Sequence, residues 1–237
     1  MLQLATKFAP VRESFELAWQ AGFPAAELWL DRSVLEREAD VVSLARQYPF
    51  RYGLHFPNRT DLSDEHVHAV VRLYRELDCR ALVIHEPMAR KFAGPLVELH
   101  PQLCLAVENH YVRPDDFLSW YRRQPGVALD VEHLWMLTMG DVTVEAVLKE
   151  VDELLAADPG RLQHVHLPGY VPGYLEHRPM YCNRDLVWGI WDRLEQIGFD
   201  GLIVSETSLE YQTAENLRMD RLLFESWWKQ RIAPPAA

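Results

Sequence analysis

The chain has 237 residues, 49% hydrophobic and 25% charged, and its formal net charge of −11 disfavours DNA or RNA as a partner, because proteins that bind them neutralise phosphates with Lys and Arg. No apolar run is long enough for a transmembrane helix, no signal-peptide pattern opens the chain, and the three cysteines are widely spaced. We therefore expect one domain over residues 1–237 in the reducing cytoplasm, with a small molecule as ligand and no membrane partner.

Patterns typical of strands and helices alternate along the chain. Strands are predicted at residues 2–5, 25–30, 51–55, 81–84, 103–107, 127–129, 162–167 and 201–205. Helices are predicted at residues 13–20, 33–47 with Ser33 as cap, 143–156, 185–197 and 214–230, and two more begin at Ser63 and Pro114. Ser63 and His66 have the spacing of a capping box without its Glu or Gln. Residues 87–101 contain Gly94 and Pro95 and are predicted to form little helix.

Eight strands that alternate with helices predict an α/β protein, a (β/α)8 TIM barrel, whose active site lies at the carboxyl ends of the strands. A doubly wound open sheet is the alternative fold. Against the open sheet, no Gly-x-Gly-x-x-Gly follows the first strand, and polar residues end six strands. An open sheet would bring strand ends together only at its switch point.

The six strand-end residues are the most informative feature of the sequence. They are His55, His85, Glu108, Asp130, His166 and Glu206. Side chains that end successive parallel strands converge on one face of a barrel. Three carboxylates and three imidazoles that meet there have the composition of a metal site.

Four of these residues form the central hypothesis, a metal site made by Glu108, Asp130, His166 and Glu206. Three carboxylates held within a few ångströms repel one another unless a cation neutralises them. One imidazole with three carboxylates is a hard, oxygen-rich set, so we expect one divalent metal ion, Mn²⁺, Mg²⁺, Co²⁺ or Zn²⁺. The alternative is that each residue caps its strand in solvent.

Other polar residues are candidates for substrate binding. They are His55, His85, His133, His177 and Arg178. His133 follows Asp130 by three residues, which places both at the mouth if the strand turns directly into a helical turn. His55 and His85 could instead ligate a second metal or be surface residues. His164 shares the strand face of His166 and is expected to be a core histidine. Glu27 and Trp29 could wall the pocket.

Six short motifs resemble, in order and strand-end placement, the xylose-isomerase-like TIM-barrel superfamily. They lie at residues 26–30, 53–57, 107–109, 129–133, 164–167 and 200–206 and together span nearly the whole chain. That superfamily contains sugar-phosphate isomerases and epimerases together with apurinic-site endonucleases.

The resemblance implies roles for individual residues. In the isomerase branch, Glu, Asp, His and Glu on strands five to eight bind one divalent metal, and the two Glu exchange the substrate proton. Carried over, Glu108 and Glu206 are the catalytic residues, and His133, His177 and Arg178 look like substrate contacts. In the endonuclease branch, His on strands three and four also bind metal, which His55 and His85 match. A third metal there uses Asp-x-His, but Leu175 stands two residues before His177 here.

The favoured function is a divalent-metal-dependent isomerase or epimerase of a small sugar or hydroxycarbonyl compound, acting by Glu-mediated proton transfer through an enediolate. The alternative is a multi-metal phosphoesterase similar to apurinic-site endonucleases. A dehydratase that uses the same proton abstraction, and a barrel that binds a ligand without catalysis, stay open. So do the substrate, the metal, the choice of base between Glu108 and Glu206, and a homo-oligomeric state.

Overall fold

The structure, a computed structural model, describes residues 2–174 and 176–232, so that Leu175 lies outside the described residues. Eight parallel strands pair in sequence order and close into a barrel. The strands are β1 (Gln3–Phe8), β2 (Ala25–Trp29), β3 (Arg51–His55), β4 (Leu82–His85), β5 (Leu105–Glu108), β6 (Val127–Asp130), β7 (Leu162–His166) and β8 (Leu202–Ser205). The predicted (β/α)8 barrel is confirmed, and pairing of β1 with β8 rules out the open sheet.

Helices connect the strands. They are α1 (Arg12–Gln20), α2 (Arg32–Leu35), α3 (Glu38–Ala45), α4 (Asp64–Glu76), α5 (Glu86–Leu99), α6 (Phe117–Arg123), α7 (Val131–His133), α8 (Val144–Ala157), α9 (Arg184–Gln196) and α10 (Ala214–Ile232). Within the ranges 2–174 and 176–232, no helix combines the length and the apolar character that crossing a bilayer would need.

Alternation along the strands separates the barrel interior from the layer under the helices. On β2, Ala26 and Leu28 belong to the large core cluster between strands and helices, whereas Ala25 belongs to a small interior cluster. Towards the end where the strands begin, the barrel interior is filled by small or aliphatic residues. They are Ala5, Ala25, Leu202 and Val204 in one cluster and Ala81, Val83, Ala106 and Ala128 in another. Polar side chains occupy the interior at the other end, where the strands finish.

The segment after β4 contradicts its prediction, because α5 covers Glu86–Leu99 instead of little helix. Pro87 lies in the first turn, where its missing N–H removes no intrahelical bond. Pro95 does cost a bond inside the helix, but Met88, Phe92 and Leu96 form a buried stripe at four-residue spacing. Packing of this stripe against β4 and β5 outweighs the local preference.

Two helix starts also differ in detail from the sequence patterns. The predicted helix over residues 33–47 is broken into α2 and α3, and Asp31, not Ser33, caps the first piece by accepting the Val34 N–H at 2.7 Å. At α4 the capping box is complete, because His66 Nδ1 takes the place of Glu or Gln and accepts the Ser63 N–H at 3.1 Å.

A buried carboxylate on α10 links β8 to the surrounding layer of helices. Asp220 of α10 is fully buried and accepts a hydrogen bond from Ser205 Oγ at 2.5 Å and another from the Tyr181 N–H at 3.1 Å. Ser205 is the last residue of β8, directly before Glu206. Burial raises the pKa of the Asp220 carboxyl to about 6, against the opposing effect of these hydrogen bonds.

We expect this carboxylate to make stability fall as the pH rises. The folded-state pKa of about 6 lies above the ordinary 3.8. The contribution of the protonated group to the free energy of unfolding is therefore fully present below pH 3.8 and is lost as the pH rises through 6. Relative to wild type, Asp220→Asn should gain on the order of 2–3 kcal/mol in free energy of unfolding between pH 4 and pH 7. Urea unfolding of both proteins at several pH values measures this difference, and a difference that is constant across the range would contradict it.

Candidate metal centre

The strand ends meet in a cleft of about 430 Å³ at the mouth of the barrel. The residues predicted for the site that line it are His55, His85, Glu108, His133, His177 and Glu206. Asp130 and His166 are fully buried. The six strand ends therefore converge as the spacing predicts.

The four residues of the central hypothesis form one tight cluster. Glu108, Asp130, His166 and Glu206 each offer a ligand atom, and these atoms lie within 4.8 Å of one another. His166 Nδ1 lies 2.7 Å from Glu206 Oε2, 3.6 Å from Glu108 Oε1 and 3.8 Å from Asp130 Oδ2. One ring nitrogen thus faces three carboxylates.

The donor atoms at this point fit a divalent ion. Asp130 Oδ2, His166 Nδ1 and Glu206 Oε2 are buried and have no partner of hydrogen-bond geometry within the described residues. Buried polar atoms in proteins are nearly always hydrogen-bonded, and a shared cation would satisfy all three atoms, including His166 Nδ1 and Glu206 Oε2, which approach to 2.7 Å without hydrogen-bond geometry. Carboxylate oxygens with one imidazole nitrogen are ligands that Mn²⁺, Mg²⁺, Co²⁺ and Zn²⁺ accept.

The charges of the ion-free cluster depend on its imidazoles. Burial opposes the charged form of His166, but Glu206, Glu27 and Glu108 outweigh it and raise the pKa of His166 well above its ordinary value. Burial likewise opposes ionisation of Glu206, yet His166 and Lys7 hold the pKa of that carboxyl well below its usual range. An ion that binds here must therefore displace a proton from His166.

The turn after β6 has the form that the Asp-x-x-His spacing predicts. β6 passes directly into α7, and Asp130 Oδ1 accepts the His133 N–H at 2.7 Å. Asn109 holds the same strand end from β5, because its amide donates to the Asp130 carbonyl at 2.9 Å and accepts the Asp130 N–H at 2.8 Å. His133 Nδ1 lies 3.4 Å from Glu108 Oε1.

A second group of possible ligands adjoins the first through Glu108. His55 Nε2 lies 3.0 Å and His85 Nε2 lies 3.1 Å from Glu108 Oε2. His55 Nδ1 lies 3.0 Å from the carbonyl oxygen of Phe56, which can only accept a hydrogen bond, so Nδ1 carries the proton. Burial lowers the pKa of His55, against the opposing effect of its hydrogen bond with Glu108.

The loop after β7 places one of its two predicted residues at the site. His177 adopts a left-handed φ of 55°, its N–H donates to Glu132 Oε2 at 3.0 Å, and its carbonyl accepts the Ser208 N–H at 2.9 Å. Its Nε2 lies 3.7 Å from Glu206 Oε1. Arg178 does not line the cleft, since its guanidinium lies over the Tyr174 ring at 4.7 Å.

Several residues at the site carry no clear signal in the sequence. Lys7 lies past the predicted end of the first strand, yet its Nζ donates to Glu206 Oε1 at 2.6 Å. His110 lines the cleft with its ring centroid 4.6 Å from that of His133. Glu132 is fully buried under the loop after β7, and burial with the nearby Asp130 raises its pKa to about 8. Glu27 lies beneath the cleft, not in its wall.

No protein-family model matches the chain, and no curated protein sequence matches it. Solved structures share its fold. A D-tagatose 3-epimerase-like protein is 16% identical with a TM-score of 0.65, covering 98% of this chain and 100% of that one. A D-allulose 3-epimerase from Methylomonas sp., in complex with D-allulose, is 17% identical with a TM-score of 0.63 and 97% coverage of both chains. An L-ribulose 3-epimerase is 13% identical with a TM-score of 0.57 and 100% coverage of both.

These structures share the (β/α)8 barrel fold that the sequence predicts. At such low identity they show the shape of the barrel and not what it catalyses.

The affinity of the cluster for a divalent ion should rise with pH. Binding releases the proton that His166 holds in the ion-free chain, and each released proton tightens binding by about tenfold per pH unit. Calorimetric titration with Mn²⁺ or Co²⁺ at pH 6, 7 and 8, in buffers with different ionisation enthalpies, gives both the affinity and the number of protons. An affinity that does not change over this range would show that His166 is not protonated before binding.

Proposed function

We propose that this chain is a divalent-metal-dependent isomerase or epimerase of a small sugar or a related hydroxycarbonyl compound. The observation that carries the proposal is the convergence of Glu108, Asp130, His166 and Glu206 on one point at the base of an open cleft. The shared fold with proteins named as sugar 3-epimerases, one of them bound to D-allulose, supports it.

Two glutamates that line the cleft are the candidates for the proton exchange. A divalent ion held by the four residues would polarise a substrate carbonyl and acidify the neighbouring C–H. Glu108 and Glu206 both line the cleft, so one carboxylate can take that proton to give an enediolate. The other can return a proton to the adjacent carbon, which is isomerisation, or to the opposite face of the same carbon, which is epimerisation.

The cleft walls supply groups that suit a polyol. Lys7, His110, His133 and His177 offer nitrogen atoms to substrate oxygens, and Trp29 adds an aromatic face that is 41% exposed. The ion pair with Lys7 also keeps Glu206 ionised, and therefore able to act as a base, at neutral pH.

Replacement of either glutamate should remove activity with the fold retained. We expect Glu206→Gln and Glu108→Gln to lower turnover by about 10²–10⁴-fold, because an amide cannot accept the substrate proton. The measurement is NMR detection of deuterium incorporation from D₂O into D-tagatose, D-allulose and L-ribulose, with Glu145→Gln on the exposed face of α8 as the matched control. Unchanged exchange in Glu206→Gln would overturn its assignment.

A multi-metal phosphoesterase is the second candidate function, and the group around Glu108 favours it. His55 Nε2 lies 3.0 Å from Glu108 Oε2, and the two atoms could ligate a second cation. His85 Nε2 lies close enough to complete a three-residue site. The net charge of −11 disfavours a nucleic acid as the substrate of such an enzyme.

The number of bound ions separates the two candidates. The isomerase should hold one divalent ion per chain, and the phosphoesterase two or more. Elemental analysis after dialysis against Mn²⁺ or Zn²⁺ counts them, and His85→Ala should lower the count only if a second ion binds. The exposed His68→Ala is the control for loss of a histidine. Hydrolysis of a simple phosphodiester by a chain holding two ions would favour the phosphoesterase.

A further inference from the structure

The strand β2 supplies none of the four clustered residues, yet it directs a carboxylate into the barrel. Glu27 is fully buried and lies in register between Lys7 of β1 and Gly53 of β3. It therefore belongs to the barrel interior, one layer beneath the cleft. A buried carboxylate at this depth is costly unless nearby groups stabilise its charge.

The partners of Glu27 connect it directly to the proposed metal centre. His166 Nε2 lies 3.2 Å from each of the Glu27 oxygens. The other nitrogen of the same ring, Nδ1, is the one that faces Glu206, Glu108 and Asp130. The imidazole thus spans the distance between the buried carboxylate and the cluster.

We propose that Glu27 is a positioning residue for the metal centre, which accepts the Nε2–H of His166 and so presents Nδ1 to the ion. The inference rests on the proposed metal-dependent function. A carboxylate behind a ligating imidazole fixes its tautomer and ring orientation and makes the ligand nitrogen more basic.

Glu27, His164 and His166 offer ligand atoms within 4.8 Å of one another, so their spacing alone would admit an ion. A neutral His166 ring that binds the proposed ion through Nδ1 carries its proton on Nε2 and has no lone pair left for a second ion. His164 Nε2 lies 2.6 Å from Glu27 Oε2 and the Lys7 ammonium lies 3.5 Å from Glu27 Oε1, close enough to stabilise the carboxylate. Hydrogen bonds and the Lys7 charge, and not an ion, therefore hold this inner group, which consists of Glu27, His164 and His166.

The surroundings keep Glu27 ionised and in place. Burial opposes its charge, but His166, Lys7 and His164 outweigh burial and hold the pKa of Glu27 well below its usual range. Gly53 leaves the space that the His164 ring occupies, because a Cβ there would lie 3.3 Å from His164 Cε1. The inner group is therefore packed, and the carboxylate stays directed at His166.

A Co²⁺ titration of the full chain tests this role through affinity and the visible absorption of the ion. We expect Glu27→Gln, which keeps an acceptor oxygen but loses the charge, to weaken binding by about tenfold, and Glu27→Ala by about a hundredfold. The absorption bands of bound Co²⁺ should shift in both variants. Asp220→Asn removes an equally buried carboxylate that contacts none of the four clustered residues, and it should bind within twofold of wild type.

The outcomes are distinct. Unchanged affinity in both Glu27 variants, or equal weakening in Asp220→Asn, would overturn the positioning role although the metal centre stood. Failure of wild type to bind Co²⁺ would overturn the proposed metal centre and the inference with it. Urea unfolding of the ion-free variants reports whether they fold.

A measurement on wild type covers the case in which a Glu27 variant does not fold. ¹⁵N NMR of the His166 ring on binding Zn²⁺ should show Nδ1 as the ligating nitrogen and Nε2 as protonated. Ligation through Nε2 would overturn the inference.

Discussion

Repulsion among carboxylates is the constraint that organises the carboxyl end of this barrel. Glu27, Glu108 and Asp130 are buried inside one ring of strands and Glu206 lies beside them at the cleft, so water screens their mutual repulsion only weakly. These carboxylates lie in two layers, and each layer has its own source of positive charge. In the inner layer, Lys7 and histidine protons neutralise Glu27. In the outer layer, three carboxylates converge on one imidazole nitrogen, an arrangement suited to a divalent cation.

His166 joins the two layers, and the elements around it restrict its freedom. β7 fixes its backbone in register with β6 and β8, while the carboxylates on either side of the ring fix its two nitrogens. Asn109 holds the neighbouring strand end of β6 by two hydrogen bonds to the Asp130 backbone. Geometry at the cleft therefore depends on buried polar contacts outside it, as preorganised sites generally do.

The sequence predicted the barrel and the convergent strand ends because both depend on spacing that is visible along the chain. It did not predict α5, since the local cost of Pro95 is outweighed by burial of Phe92 and Leu96 in the packing of the helix on the barrel, which the local pattern does not show. Lys7 was missed because β1 continues to Phe8 through a weakly apolar segment. Contacts across the barrel, such as Glu27 with His166, join residues 139 positions apart and leave no periodic pattern. Glu132 and His177 meet through a loop whose course no local pattern fixes.

Glu108 belongs both to the central cluster and to the group with His55 and His85. One Glu108 oxygen faces each group. The two groups therefore share this side chain, while their other residues lie at the ends of different strands. Two substitutions, on β3 and β4, could therefore create or erase a whole ligand group while Asp130, His166 and Glu206 keep their places. In evolutionary terms, a barrel built in this way can move between chemistries that need one ion and chemistries that need several by changing two side chains, without redesigning its scaffold.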